Sequence, residues 1–366
     1  MAVGLPLKTT YANGDVFSAS DINDTNGTIN ITAAPFAAGK NRIINGDFAI
    51  NQRAFTSTTT SGAYGQDRFY NLNSNGTTTY SAQTFTPGTA PVTGYESTNF
   101  ARIVSTGQTL SSAFSVFGQK IEDVRTFANQ TVTFSFWAKA ASGTPSISAN
   151  FFQDFGGGGS SGVYSYPTTQ KQAITTSWAR YSFTTTIASM AGKTIGANSF
   201  LAAWIWTSAG ADFNTQTGSL GIQSTTIDIW GVQVEAGSTA TAFQTATGTI
   251  QGELAACRYY YRRNVATGNA YGSVLGFSVI ASGTTGATAT WIEEPMRAIP
   301  TSIDFSTIAL ADTSGAFGIT AVTFSGSNTL GIPTLIFTSS GLTQFRSYYV
   351  VGNNNAAGFL GISAEL

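Results

Sequence analysis

Apolar and polar residues alternate with a period of two along most of this chain, and few segments have the spacing of an amphipathic helix. In the segment TVTFSFWAKA, for example, Val132, Phe134 and Phe136 fall on one face of a strand. The same alternation is found in segments 178–187, 225–237, 334–342 and 344–352. Clusters of turn-forming residues such as NSNG, GGGGSSG and SGTTGAT separate these runs. The pattern predicts an all-β fold of short antiparallel strands arranged as sandwiches or barrels.

The strand patterns fall into two long stretches that follow a small, polar beginning. We predict an N-terminal arm over residues 1–40, a larger β-unit over 41–247 and a second β-unit over 248–366. The segment that joins the units, GTIQGELAACRYYYRR, suits one or two helical turns and suits a strand equally well. Solenoid repeats and heptads are not visible in the sequence. The expected architecture is two antiparallel β-sandwich units preceded by a short arm.

Charge is scarce in this sequence, and that excludes several kinds of partner. The 366 residues include 17 Lys and Arg and 18 Asp and Glu, which gives a net charge of −1. We therefore expect no binding to nucleic acid.

The longest apolar stretch, 200–206, is too short to cross a bilayer, so we expect no membrane insertion. The beginning of the chain also lacks the pattern of a secretory signal. A surface of Ser, Thr, Asn, Gln and Gly suits a protein that is assembled, protease-resistant or in contact with glycans.

Residues that carry catalysis are sparse as well. The chain has no histidine, which excludes Ser–His–Asp and Cys–His arrangements. A single cysteine, Cys257, allows no disulfide within the chain. Glu293 and Glu294 are adjacent, so on a strand they point to opposite faces. Glycoside hydrolysis needs two carboxylates on either side of one bond, and the spacing of the acidic residues singles out no such pair. We predict that the protein is not an enzyme.

Several segments, taken together and in order, resemble bacteriophage tail-fibre and tail-associated proteins that carry a jelly roll like that of carbohydrate-binding modules. The resemblance rests on residues 11–23, 41–53, 64–69, 132–140, 177–187, 227–244 and 252–263, and more loosely on 293–306. It implies that residues 1–40 attach the chain to other phage tail or virion proteins. It also implies that 41–247 form a jelly-roll-like sandwich. Residues 248–366 would then form a C-terminal domain used as a tip, for oligomerisation or for receptor contact.

Aromatic residues near the loop GGGGSSG are the candidates for glycan binding. Sugar-binding aromatic rings lie on a rim or a concave face, and Phe155, Tyr164 and Tyr166 flank this loop. Four other aromatic residues on alternating strands are interpreted as core between two sheets; the alternative is a platform on which sugar rings stack. These four residues are Phe48, Trp137, Trp178 and Trp230.

The resemblance also raises the question of a cofactor, since carbohydrate-binding jelly rolls often carry a structural calcium ion. Asp47 and Glu235 fall in the stretches that match the ligand-bearing strands of such modules. Calcium prefers six to eight oxygen ligands, and two carboxylates are too few to define a site. The alternative is that Asp47 caps its own turn and Glu235 pairs with an arginine. We expect no cofactor apart from this one possible calcium ion.

Two segments are candidates for contacts between subunits. Tyr259, Tyr260 and Tyr261, with Arg262 beside them, combine residue types that are enriched at interface hot spots. The alternative is one more strand that is covered by cation–π contacts. Near the end of the chain, Phe359 and Leu360 would be exposed on the tail of a monomer. The resemblance implies three-fold axes, so we predict a homotrimer in which the C-terminal unit contributes to the contact.

The function predicted from the sequence is that of a structural virion protein of a bacteriophage. It would be a tail fibre or appendage, made in the host cytoplasm, that contacts glycans of the host cell surface. One alternative is a purely architectural capsid-decoration or baseplate protein without a ligand. Another is a polysaccharide-degrading tailspike, although the repeats of a long parallel β-helix are not visible.

Overall fold

A computed structural model describes residues 39–290, 295–325 and 333–366. The predicted arm, apart from its last two residues, lies outside the described residues, as do Glu293 and Glu294. Within the described ranges, helical residues are confined to a 3-10 turn and two α-helices. No helix in this part of the chain has the length and apolar character needed to span a membrane. The prediction of an all-β fold is confirmed.

The first unit contains twelve strands in two antiparallel sheets. The first sheet has the order β1-β3-β4-β12-β6-β10, and the second has the order β2-β5-β11-β7-β8, with β9 also paired to β7. The 3-10 turn Ala211–Phe213 and helix α1 (Asn214–Thr217) lie between β11 and β12. The strands are β1 Ser57–Thr58, β2 Phe69–Ser74, β3 Thr77–Thr84, β4 Asn99–Thr106, β5 Phe114–Glu122, β6 Thr131–Ala140, β7 Ser146–Asp154, β8 Val163–Ser165, β9 Lys171–Ala173, β10 Ala179–Thr186, β11 Phe200–Ala209 and β12 Thr225–Ala236.

The core of the first unit lies between these two sheets, where the alternation in the sequence places it. On β6, Val132, Phe134 and Phe136 are buried and point at the second sheet. The ring centroid of Phe134 is 5.6 Å from that of Phe151 on β7, which belongs to the opposite sheet. Burying one face of each sheet against the other removes a large apolar area from water, which stabilises the sandwich.

Three of the four aromatic residues interpreted as inter-sheet core are not between the sheets. Phe48 is buried in that core, as predicted. Trp137, however, alternates with Phe136 on β6, so it points to the outer face of the first sheet. Trp230 is directly opposite Trp137 on β12 and shares that outer face, and Trp178 continues it beyond the start of β10. Phe243 contacts the Trp137 and Trp230 rings, and Phe85 contacts Trp178, so these rings are covered on the outer face of the sheet without a place between the sheets.

Helix α2 (Ile250–Arg258) joins the two units. The hydroxyl of Thr249 accepts a hydrogen bond from the Gly252 N–H at 3.1 Å and caps the first turn. Glu253 is buried, and its carboxylate accepts hydrogen bonds from the main-chain N–H groups of Asn45 and Thr247. Of the two structures that the sequence allowed for this segment, the helix forms first and a strand begins directly after it.

The described residues of the second unit form ten strands, again in two antiparallel sheets. A three-stranded sheet has the order β13-β22-β16, and a seven-stranded sheet has the order β18-β17-β21-β14-β15-β20-β19. Apolar side chains from both sheets form one core. The strands are β13 Tyr261–Val265, β14 Ser273–Ala281, β15 Gly286–Thr290, β16 Ser302–Ser306, β17 Ile308–Asp312, β18 Gly315–Gly318, β19 Ala321–Ser325, β20 Thr334–Thr338, β21 Ser347–Gly352 and β22 Phe359–Ser363.

Candidate functional site

The outer face of the second sheet carries a layer of aromatic side chains. On β11, Leu201, Ala203 and Ile205 point into the core, so Trp204 and Trp206 point outward. Strand pairing places Tyr70, Phe152, Tyr164 and Phe200 on the same side. We call these last four residues, together with Trp204 and the neighbouring Tyr64, the aromatic face. Trp204 and Tyr70 are buried, whereas Tyr64, Phe152, Tyr164 and Phe200 are half-buried.

The rings of the aromatic face support one another. The Phe152 and Trp204 rings are stacked, with centroids 5.0 Å apart and planes 8° from parallel. The Tyr164 ring is 4.8 Å from Phe152 on the outer side of this pair. The Trp204 Nε1–H donates a hydrogen bond to the Tyr70 hydroxyl at 2.6 Å, which satisfies the indole donor inside the layer. The layer is therefore held rigidly, and its outer rings keep part of their surface open to solvent.

Gly118 on β5 makes room for this arrangement. It lies directly opposite both Trp204 and Tyr70 in the sheet. A Cβ atom at position 118 would be 3.0 Å from Cδ1 of Trp204 and 2.1 Å from the main-chain oxygen of Ala203. A side chain here would clash with the Ala203 carbonyl and crowd the tryptophan ring that donates to Tyr70.

A loop covers one end of the outer face and leaves the other end open. Phe213, beside helix α1, contacts Trp206, with ring centroids 5.3 Å apart. Asn150 accepts a hydrogen bond from Trp206 Nε1 at 3.0 Å and donates one to the main-chain oxygen of Gln216 at 2.9 Å. The covered end is thus the Trp206 end, and the open end is the aromatic face.

Charged groups border the open end. The ammonium group of Lys120 is 4.7 Å from the centre of the Phe200 ring and donates a hydrogen bond to the main-chain oxygen of Leu366 at 2.6 Å. Burial lowers the pKa of Lys120. Asp154 is directly opposite Phe200 on β7, and its carboxylate accepts a hydrogen bond from the Gly156 N–H. A cation and a carboxylate therefore flank Phe200 on the two strands beside β11.

The three residues predicted to bind glycans occupy different environments. Tyr164 lies in the aromatic face and points outward. Tyr166 is 38% exposed but follows the end of β8 and is not part of the aromatic layer. Phe155 is only 1% exposed, so its predicted position on a rim is wrong. Neighbouring residues of a strand point to opposite faces, so Phe155, which follows the outward-facing Asp154, turns its ring inward.

The two carboxylates considered as calcium ligands are both held by protein donors. Asp47 accepts hydrogen bonds from the Tyr95 hydroxyl at 2.9 Å and from the Ala49 N–H at 3.3 Å, and burial raises its pKa. Glu235 accepts from Thr241 and forms an ion pair with Lys40 at 3.1 Å. Asp47 thus caps its turn, while the partner of Glu235 is a lysine. Across the described ranges, no group of three or more acidic or cysteine side chains is placed to hold a metal ion.

Two of the residues predicted to join subunits, Tyr260 and Tyr261, instead join the two units of one chain. Both are buried, Arg262 is buried on the opposite face of β13 from Tyr261, and Tyr259 is exposed. Leu360 is fully buried in the core of the second unit, and the Phe359 ring lies under the Arg263 guanidinium at 3.6 Å. The predicted exposure of Phe359 and Leu360 is wrong, because β22 is the central strand of the three-stranded sheet.

The sequence of β11 indicates the aromatic face, although the predicted glycan-binding residues did not include any residue of this strand. The segment FLAAWIWTSA is apolar at both even and odd positions, unlike the alternating segments. A strand of this kind is buried on both faces or carries an apolar layer on its outer face. Phe152 gave less signal, because its side depends on the register of β7 against β11.

No protein-family model and no curated protein sequence matches this chain. Among solved structures, the xylan-binding CBM22-1 domain of a Paenibacillus barcinonensis protein is 12% identical, with a TM-score of 0.29, and the match covers 56% of this chain and 98% of that one. A family 11 carbohydrate-binding module from Clostridium thermocellum is 10% identical, with a TM-score of 0.30, over 51% and 99% of the two chains. A Stig cyclase from Fischerella is 12% identical, with a TM-score of 0.33, over 56% and 100%.

Proposed function

We propose that this protein binds glycans through the aromatic face of its first unit. The observation that carries the proposal is the set of half-buried rings, Phe152, Tyr164 and Phe200, packed around Trp204 on the solvent side of a sheet. Outward aromatic rings are unusual on a face that does not meet another layer. Sugar rings present C–H groups that pack on aromatic surfaces and hydroxyls that bond to nearby charged groups, here Lys120 and Asp154.

The wider role that we propose is structural, in an appendage of a bacteriophage particle. The proposal draws on the ordered sequence resemblance over residues 11–263 and on a surface with few charges. In this role residues 1–40 attach the chain to the virion, and the first unit presents the aromatic face to glycans of the host cell. Oligomerisation as a homotrimer belongs to the same proposal.

The second candidate is a purely architectural protein of the same particle, and one observation favours it. Phe152 and Trp204 stack on each other, so part of the ring surface is used inside the layer. An architectural role would need the layer only to stiffen the sheet.

A glycan array probed with the purified full chain separates the two candidates. We expect binding to a limited set of glycans and at least a tenfold loss in the Tyr164→Ala variant, which corresponds to about 1.4 kcal/mol. Tyr271→Ala is the matched control, because Tyr271 is an exposed tyrosine in the loop before β14 of the second unit. Equal binding by the wild type and both variants would contradict a role of the aromatic face, and no binding at all would support the architectural candidate.

A further inference from the structure

A groove of about 300 Å³ lies between the two units, next to the aromatic face. Arg53 and Tyr64 line it from the first unit, and the second unit contributes Tyr261, Ser302, Ile303, Asp304 and Ser363. Tyr64 belongs to both surfaces, because its ring centroid is also 5.5 Å from that of Tyr70. The Tyr64 hydroxyl donates a hydrogen bond to the main-chain oxygen of Leu366 at 2.9 Å, which fixes the ring between the groove and the aromatic face.

Asp304 is held in this groove by its neighbours. The Tyr261 hydroxyl donates to the Asp304 carboxylate, with the shorter distance 2.9 Å. It reaches across Gly361 on the intervening strand β22, where a Cβ atom would be 2.2 Å from Oδ1 of Asp304 and 2.5 Å from the tyrosine oxygen. Asp304 itself is exposed. The carboxylate is therefore oriented in advance and still open to a donor from solvent.

The charges around the groove favour an uncharged ligand. The Arg53 guanidinium forms ion pairs with Asp67 at 3.6 Å and Glu365 at 3.5 Å, and it lies 3.6 Å from the centre of the Tyr261 ring. Arg68 is paired with Glu365, and Arg263, whose guanidinium lies 3.6 Å from the centre of the Phe359 ring, donates a hydrogen bond to the main-chain oxygen of Arg53. The charges of Arg53 and Arg68 are thus met by carboxylates, and Asp304 is the exposed charged residue among those that line the groove. An acidic sugar would be repelled, whereas hydroxyl groups can donate to the carboxylate.

We propose that this groove is a second subsite for the same glycan and that it selects neutral sugars over acidic ones. Asp304 accepts hydrogen bonds from sugar hydroxyls, Ser302 and Ser363 supply short polar side chains beside it, and Tyr64 forms the wall shared with the aromatic face. The inference rests on the proposed glycan binding. It adds the class of sugar and a contribution from both units.

The test measures binding of the full chain to neutral oligosaccharides of increasing length and to matched oligosaccharides that contain uronic acid. We expect Asp304→Ala to weaken binding of long neutral oligosaccharides about tenfold, because a hydrogen bond to a charged group is lost. Short oligosaccharides that reach only the aromatic face should bind the variant as they bind the wild type. Asp304→Asn should reduce the ratio of the affinity for neutral oligosaccharides to the affinity for acidic ones, because the variant lacks the carboxylate charge. The control is Asp123→Asn, which changes an exposed aspartate of the first unit.

The outcomes separate this inference from the proposed function. If Asp304→Ala binds long oligosaccharides as the wild type does while Tyr164→Ala loses them, the groove is not a subsite and the aromatic face still binds glycans. If the wild type prefers acidic oligosaccharides, the proposed selectivity is wrong. If the wild type binds no oligosaccharide, both proposals fail. Equal melting temperatures of the variants and the wild type show that the comparison concerns binding and not folding.

Discussion

The guanidinium carbon of Arg68 lies 3.3 Å from the centre of the Tyr260 ring, although the two residues belong to different units. Arg68 is buried, and its charge is met by the carboxylate of Glu365 near the end of the chain. It also donates a hydrogen bond to the main-chain oxygen of Lys120 at 2.7 Å. The stacked arginine thus connects the second sheet of the first unit to both ends of the second unit. Tyr260 adds its own link, since its hydroxyl donates to Glu122 at 3.0 Å.

Replacing Arg68 should therefore destabilise the whole protein. The Arg68→Ala variant removes the cation that pairs with the buried Glu365 and also removes the stack on Tyr260. We therefore expect a loss of about 3–5 kcal/mol in the free energy of unfolding. Urea denaturation followed by tryptophan fluorescence measures it. Arg125→Ala is the control, because the ion pair of Arg125 with Asp123 is exposed and such pairs contribute about 1 kcal/mol or less. Equal midpoints for Arg68→Ala and the wild type would contradict the role of this stack.

Strand β22 should be indispensable to the second unit. The sequence predicts that truncation after Asn355 weakens assembly more than it weakens folding of the 41–247 unit. The structure adds a cost to the second unit, because truncation there removes the central strand of a sheet together with the buried Leu360 and Ile362. We expect the truncated chain to lose the second unit to limited proteolysis while a fragment containing the first unit resists.

A point variant gives the same test without removing a strand. Leu360→Ala should cost about 2–5 kcal/mol, the range for deleting a fully buried leucine side chain. Ile299→Ala is the control, since Ile299 is 40% exposed. A similar cost for both variants would show that Leu360 is not packed as described.

Local alternation was sufficient to predict the all-β fold, because each strand carries its own signal. It put Trp137 on the face opposite Phe136 but did not tell which of these faces meets the second sheet, and for a different reason it did not place Phe155. Burial alone does not tell which side of a sheet a tryptophan lies on when a loop covers the outer face, as Phe243 and its neighbours do over Trp137. Phe155 follows the end of β7, where one residue reverses the side that a ring faces.

The groove between the units was not predictable from the sequence at all. Tyr64, Tyr261 and Asp304 come together only because β13, β22 and β16 pair in one sheet and that sheet meets the first unit. The run RYYYRR did indicate a contact surface, and the cation–π contacts were among the alternatives considered. What the sequence could not tell was whether the partner is another subunit or the same chain. Arg68 and Glu365 are far apart in the sequence, so their ion pair within one chain could not be inferred from it.

Asp67 should make stability depend on pH. Burial outweighs the nearby Arg53 and raises the pKa of Asp67 to about 6 in the folded protein, from an ordinary value of 3.8. Between these two values the folded state holds more protons than the unfolded state, so this residue lowers stability as the pH rises from about 4 to 6. Above pH 6 the carboxylate is ionised in both states, and stability is reduced by the full cost of burying the ionised Asp67.

The contribution of Asp67 can be isolated by comparing pH profiles of the melting temperature. We expect Asp67→Asn to flatten the profile between about pH 4 and 6, while Asp123→Asn, at an exposed site, leaves it unchanged. Buried groups such as Asp47 and Glu253, whose pKa values burial also raises, contribute equally to both variants. Parallel profiles for the wild type and Asp67→Asn would contradict the assignment.

The homotrimer, if it forms, needs a contact other than the one indicated by the sequence, because Tyr260, Tyr261 and Leu360 are buried within one chain. The outer face of the seven-stranded sheet is the surface that we expect to supply it. Ile280 on β14 and Tyr349 on β21 lie there on adjacent strands and are 54% and 58% exposed. Their strand neighbours on this face are threonine and serine, including Thr288, Ser278 and Ser347. A face of this composition can meet copies of itself without repulsion between like charges.

Ile280→Lys tests this contact, because cyclic symmetry would bury the new charge once in every subunit. Burying an unpaired ammonium group is costly, so we expect the variant to sediment as a monomer at micromolar concentration where the wild type sediments as a trimer. Ile222→Lys is the matched control, since Ile222 is 41% exposed on the first unit and its substitution should leave the trimer intact. A wild type that sediments as a monomer would end the trimer hypothesis. A trimer that tolerates Ile280→Lys would place the contact on a different surface and leave the outer face of the seven-stranded sheet open to solvent.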